Sequence, residues 1–223
     1  MTGYIRAAVV MCGVAAGVFL TGCASDDNGR TAESNKATTS LKDTRDELAK
    51  SKVEVNDAIV ALDKLGAGGN LEQSYKQYTA AVKDVQAAGD RARSRAQAMR
   101  ENGRAYVAKW EKEMDQVSNP ELRAGAAARR QKVKANYDSI VTTGRSVSSA
   151  YQPFLKDLQD IQRALASDLT PGGVTAASAA IAKTKQEGAV LNERIDALIA
   201  KLDDVSQGMS AQAAPAGQAP QGK

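Results

Sequence analysis

From Leu71 to Trp110 an apolar or small residue recurs at strictly alternating steps of four and three: Leu71, Tyr75, Tyr78, Val82, Val85, Gly89, Ala92, Ala96, Met99, Gly103, Tyr106 and Trp110. A strand alternates with period two and cannot keep such a set on one face. A helix can, and eleven unbroken steps put one narrow stripe along a very long helix. A stripe this narrow is satisfied by other helices rather than by a sheet.

The rest of the chain repeats the pattern. Leu41, Leu48, Val55 and Leu62 recur every seven residues, with Thr44, Ser51, Ala58 and Leu65 as the second seam position. A third run holds Leu122, Ala126, Val133, Tyr137, Ile140, Gly144, Val147, Tyr151, Phe154, Leu158, Ile161 and Leu165, and a fourth goes from Val174 through Ile181, Leu191 and Leu198 to Val205. The breaks between them are turn sequences. Gly66 to Asn70 (GAGGN) provides a C-cap and a turn, Asn119-Pro120-Glu121 reads as N-cap, N1 and a carboxylate at the positive end of a dipole, and Asp168 to Gly173 (DLTPGG) closes the third helix. Pro153, inside the third run, should disturb that helix near Ser149.

Short turns make consecutive helices antiparallel. The turn positions give helices of about 28, 47, 48 and 34 residues. The expected fold is therefore all-α: an elongated antiparallel four-helix bundle or coiled coil spanning 38–207, with the longer middle pair protruding as a two-helix hairpin whose tip is the turn at Asn119. Small residues in the middle of the second seam should let a neighbour approach closely. Heptad seams are satisfied inside one chain or between chains, so self-association stays open.

Composition narrows the chemistry. Histidine is absent and there are two cysteines, Cys12 and Cys23. The commonest general base and metal ligand is thus missing, and no paired thiols exist for zinc or iron–sulfur binding. The glycine clusters lack the lysine and Ser/Thr of a phosphate-binding loop. Glu113 takes a seam place, where a carboxylate with a raised pKa is conceivable, but pairing with Arg123, Arg129 or Arg130 across the hairpin explains it more simply. No catalytic residue, cofactor or metal is expected, and a net charge of +4 does not point to nucleic acid.

Residues 1–22 read as an export signal. Arg6 is followed by 14 uncharged residues, Ala7 to Leu20, too few to span a bilayer, which needs about 20, but suited to a signal core. Leu20-Thr21-Gly22-Cys23 then resembles the lipobox of bacterial lipoproteins. That resemblance implies cleavage before Cys23, a diacylglycerol on its sulfur and usually an acylated amino group; the plainer reading is an ordinary signal peptide with Cys23 incidental. In Gram-negative lipoproteins an Asp after the cysteine favours the inner membrane. Here the position is Ala24, which implies an outer-membrane protein facing the periplasm. Residues 23–37 read as the lipidated cysteine with a flexible polar tether, and 208–223 as a disordered tail.

A wider resemblance rests on Trp110 and Glu113, Asn119 with Leu122-Arg123, Tyr137, Pro153 with Leu155, Asp157 and Ala180-Ile181. Spread over roughly residues 40–207, this pattern resembles a family of bacterial envelope lipoproteins of unknown function. DLTPGGV stands where an Asn-rich turn would be expected. The resemblance implies a coiled-coil domain and no activity.

Three features are candidates for function. Between Asp90 and Lys134 lie twelve cations and six acids, so the positive surplus sits in the hairpin. Arg91, Arg95, Arg129 and Arg130 are the expected contacts to an anionic surface: phospholipid, lipopolysaccharide or peptidoglycan. A solvated face whose cations pair with nearby acids has the same composition. Tyr106, Trp110 and Met114 are either core or, since a thin two-helix arm cannot cover an indole fully, a patch for a protein partner. Lys223, the last residue, resembles the C-terminal lysine that joins some helical outer-membrane lipoproteins to peptidoglycan. The expected role is a structural or adaptor protein held to the envelope membrane by lipid, the alternatives being a periplasmic chaperone or docking factor and a peptidoglycan tether.

Overall fold

The computed structural model describes residues 27–67 and 69–213, with side chains from 32 to 209. The signal peptide at 1–22, Cys23 and Lys223 lie outside the described residues. All regular structure within them is helical: α1 (Asp27–Gly66), α2 (Leu71–Met114), α3 (Pro120–Ser167) and α4 (Pro171–Ala213). Their 40, 44, 48 and 43 residues correspond to lengths of about 60–70 Å at ~1.5 Å per residue. None is long and apolar enough to cross a membrane.

The turns follow from the sequence. Gly69 adopts φ 94°, a left-handed conformation open to glycine, and the Asn70 side chain accepts from Gln73 N at 3.0 Å to start α2. Asn119 accepts from Glu121 N and Leu122 N at 2.9 and 3.1 Å, and Pro120 occupies the first turn of α3, where a missing N–H costs nothing. α3 runs on through Pro153. The helix is unbroken near Ser149, where Arg194 of α4 donates to Ser146 O at 2.9 Å and to Ser149 Oγ at 3.0 Å.

The helices form a bundle in which α1 packs against α2 and α4, and α3 against α2 and α4. One continuous core results, built from the seams: Leu41, Leu48, Val55 and Leu62 from α1; Tyr78, Val82 and Val85 from α2; Phe154, Leu158 and Leu165 from α3; Leu191, Leu198 and Leu202 from α4. Two seam polar residues are satisfied rather than orphaned. Thr44 Oγ1 reaches Ser40 O and Arg95 O, and Ser51 Oγ reaches Glu47 O and Ala88 O.

Four expectations need correction. The segment taken for a flexible tether is helical from Asp27, and Ala37 is fully buried; polar residues there hold a helix because one small face, Ala37 and Ser40, reaches the core. α4 likewise continues to Ala213 with Met209 buried, so the tail starts later than 208. Both flanking helices are thus longer than the turns alone suggested, and less of α2 and α3 is left without neighbours. Leu122, placed in the α3 seam, is 64% exposed, since it lies in the first turn of α3 at the tip. Finally, the neighbour that the small middle of α2 admits is α1, whose Thr44 and Ser51 hydroxyls reach the α2 main chain, while toward α3 the same stretch borders a cleft.

Candidate functional site

The proposed cationic contacts do not stand as four free charges. Arg91 Nε donates to Glu47 Oε1 at 2.7 Å; Glu47 is buried on α1, and this hydrogen bond raises the Arg91 pKa above its ordinary value. Arg95 pairs with Asp43 at 3.5 Å and Arg130 with Glu111 at 3.3 Å. Arg129 is exposed and has no acid partner among the described residues. The cations therefore divide. Those level with α1 tie α2 to it, whereas Arg104, Lys112, Arg123, Arg129, Lys132 and Lys134, nearer the Asn119 turn, face solvent.

The aromatic cluster is mostly core. Trp110 is 4% exposed, with Tyr106 tilted against it at a centroid separation of 5.8 Å and an interplanar angle of 43°. Tyr106 and Met114 are half-buried. The indole is therefore covered, contrary to the expectation for a thin arm, in a bundle whose α1 extends back to Asp27. As a partner patch the trio would offer only the edges of Tyr106 and Met114. Glu113 is half-buried beside them.

A feature without a sequence expectation lies between α2 and α3. Tyrosine hydroxyls join the helices toward one end: Tyr75 donates to Gln162 O at 3.0 Å, Tyr78 to Leu158 O at 2.6 Å and, from the other side, Tyr151 to Val85 O at 3.3 Å. Tyr78 is fully buried, and desolvation pushes its hydroxyl pKa well above the ordinary phenol range; Tyr137 and Tyr151 shift the same way for the same reason. Two of the rings sit on glycines. A Cβ at Gly89 would run into the Tyr151 ring and hydroxyl, and one at Gly103 into the Tyr137 ring. Between these two seats the helices stand apart around a cleft of about 270 Å³. Its floor is buried α1 and α4, including Leu48, Val55, Leu191 and Ile195, and its rim carries Arg93, Arg100 and Arg145. The signal that could have located it is the coincidence of small residues on both helices that line it, Gly89, Ala92 and Ala96 on α2 with Gly144 and Ser148 on α3.

Among the described residues, no group of three or more Cys, Asp or Glu side chains is placed to hold a metal ion. A family match covers most of the chain. Residues 32–211 fit a family described as protein of unknown function (DUF2959). The chain belongs to that family. The matched segment takes in all four helices and nearly all of the described residues, so the family is defined by the whole bundle rather than by a local motif. No curated protein and no solved structure matches the chain.

Proposed function

We infer that this DUF2959 member is a lipid-anchored envelope protein with a structural or adaptor role, standing on an anionic membrane surface by the Asn119 end of an antiparallel bundle. The observation that carries this reading is the start of α1 at Asp27. Only Ala24, Ser25 and Asp26 separate it from Cys23 in the lipobox sequence, a span of at most ~14 Å from Cys23 to Asp27. Bundle and anchor are then nearly continuous.

The pairings support the orientation. Asp43 meets Arg95, Glu47 meets Arg91 and Ser51 meets Ala88, so numbers rise along α1 as they fall along α2. Continued to Asp27, the same pairing puts the start of α1 level with the last turns of α2. The anchored end is then the end of the short α2–α3 hairpin tip. There Leu122 is bare and Arg123, Arg129, Lys132 and Lys134 are solvent-facing. Basic side chains beside an anionic leaflet contribute about 1 kcal/mol each, and one apolar side chain at the tip adds insertion. The turns at Gly66–Asn70 and Asp168–Pro171 would stand ~60 Å away, available to a partner in the periplasm. Ala24 after the cysteine favours the outer membrane.

The test has two parts. Metabolic labelling with an acyl-chain analogue should mark the wild type and not Cys23→Ala. Purified Cys23→Ala protein should float with phosphatidylglycerol vesicles and not with phosphatidylcholine vesicles, and charge reversal at Arg123, Arg129, Lys132 and Lys134 should abolish flotation. An unlabelled wild type removes the anchor; flotation indifferent to lipid charge and to the reversals removes the basic contact.

A further inference from the structure

The cleft between α2 and α3 has a chemistry of its own. Small residues at matching levels of two facing helices ordinarily bring the backbones together. Here the Tyr137 and Tyr151 rings, each seated on a glycine of α2, stand near either end and hold the helices apart. The hydroxyls of Thr44, Ser51 and Tyr151 in the cleft lining already donate their protons to main-chain carbonyls, which leaves them acceptor lone pairs only. An interior walled mainly by Leu, Val, Ile, Ala and Gly, with few donors to orient water, suits hydrocarbon.

Size and rim then specify the occupant. An apolar cavity of ~150 Å³ accepts benzene, so about 270 Å³ accepts roughly ten carbons of a chain by proportion. A second chain would not fit beside the first. The mouth carries three arginines on the two helices that frame it. Arg93 pairs with Asp90 at 3.0 Å, while Arg100 and Arg145 have no acid partner among the described residues. A guanidinium fork over an apolar slot matches a carboxylate or phosphate on the end of an alkyl chain.

We propose that the α2–α3 cleft is a binding site for a single-chain anionic amphiphile, the distal half of its chain lying over Leu48, Val55, Leu191 and Ile195 and its head held by Arg100 and Arg145. This site is separate from the basic surface at the Asn119 end, which contacts headgroups without taking up a chain. It does not depend on the lipid anchor. A fatty acid and a lysophospholipid share the required chemistry.

The test uses the full mature chain in phosphatidylcholine vesicles with three photoactivatable probes: palmitate, lysophosphatidylglycerol and uncharged hexadecanol, each with the reactive group near the chain end. Adducts of the anionic probes are expected on the floor segments 48–55 and 191–198, where the chain end would lie. Labelling by both assigns a site that reads charge alone, and labelling by one identifies the head it prefers. Arg100→Glu with Arg145→Glu should lower anionic labelling by about tenfold or more and leave hexadecanol unchanged. Ala96→Trp should block all three probes, and because the arginines are on the surface their variant decides the matter even if the tryptophan variant fails to fold. Adducts scattered outside the cleft, or hexadecanol labelling equal to that of the acids and unaffected by the reversals, would overturn the proposal. So would cross-linked copies of the chain through these segments without probe adducts.

Discussion

Replacing Gly103 by alanine tests whether α2 and α3 are joined as described. In an exposed helix interior the change stabilises, because alanine gains about 0.8–1 kcal/mol over glycine in helix propensity. At Gly103 the new Cβ would press on Tyr137 Cε1 and lie 2.7 Å from Cζ and 2.8 Å from Cδ1. Ordinary contact begins near 3.4 Å, so the ring must retreat by more than half an ångström. It has little room: Tyr137 is buried, with its hydroxyl against Met209 Sδ at 4.0 Å. Overpacking of this kind costs about 1–3 kcal/mol, which offsets the propensity gain and leaves a net loss of up to about 2 kcal/mol. Gly125 is the control, since a Cβ there meets nothing within 4 Å, and Gly125→Ala should gain up to about 1 kcal/mol. The two variants should therefore straddle the wild type, separated by the overpacking cost of ~1–3 kcal/mol, or about 2–12 °C in Tm for a chain of this size. Thermal unfolding followed by circular dichroism reads it directly. Equal stabilisation by both substitutions would refute the Tyr137 seat.

Further expectations concern charge and ionisation. Arg91→Met leaves the Glu47 carboxylate, 9% exposed, without its partner and should cost about 1.5–3 kcal/mol. Arg129→Met at the solvent-facing end should stay within about 0.5 kcal/mol of wild type; equal effects in urea titrations would contradict the division of the cations. Alkaline pH should unfold the bundle. The unfolded chain loses tyrosine protons from about pH 10, whereas buried Tyr78 and Tyr137 keep theirs, so stability is untouched below pH 10 and falls above it by about 1.4 kcal/mol per pH unit per tyrosine. Phenolate absorbance should rise for these two only with loss of helix. Tyr78→Phe should remove its share of the slope and about 1 kcal/mol of hydrogen bonding; Tyr78 ionising within the intact bundle would contradict its burial.

What the sequence conveyed and what it withheld divide by the range of the interaction. The Leu41–Leu48–Val55–Leu62 seam and the Asn119–Pro120 cap were legible, because each depends on residues within a turn or a heptad of one another. The start of α1 was not: residues 27–37 contain no large apolar side chain, and their helix depends on a core assembled from α2 and α4. Summed charge in the hairpin was countable, but the bond from Arg91 to Glu47 spans 44 positions of sequence and turned a candidate binding residue into a structural one. Leu122 kept correct spacing yet is bare, since periodicity tells which face a residue takes and not whether anything lies opposite. The cleft escaped for the same reason. Gly89, Ala92 and Ala96 sit on the right stripe, but the separation of the facing helix is set by the rings of Tyr137 and Tyr151.

Those two rings also govern slippage. A bundle of repeated heptads has a cheap error available, in which one helix slides by seven residues and every leucine finds an equivalent hole. The seats at Gly89 and Gly103 are fourteen residues apart, and so are the tyrosines they receive, Tyr151 and Tyr137. A slide of seven would bring Tyr151 to Val82 or Ala96 and Tyr137 to Ala96 or Trp110, each of which has a Cβ where the ring must lie. Two notches at double-heptad spacing thus work as a key: they admit one alignment of α2 with α3 and reject the nearest competitors on either side.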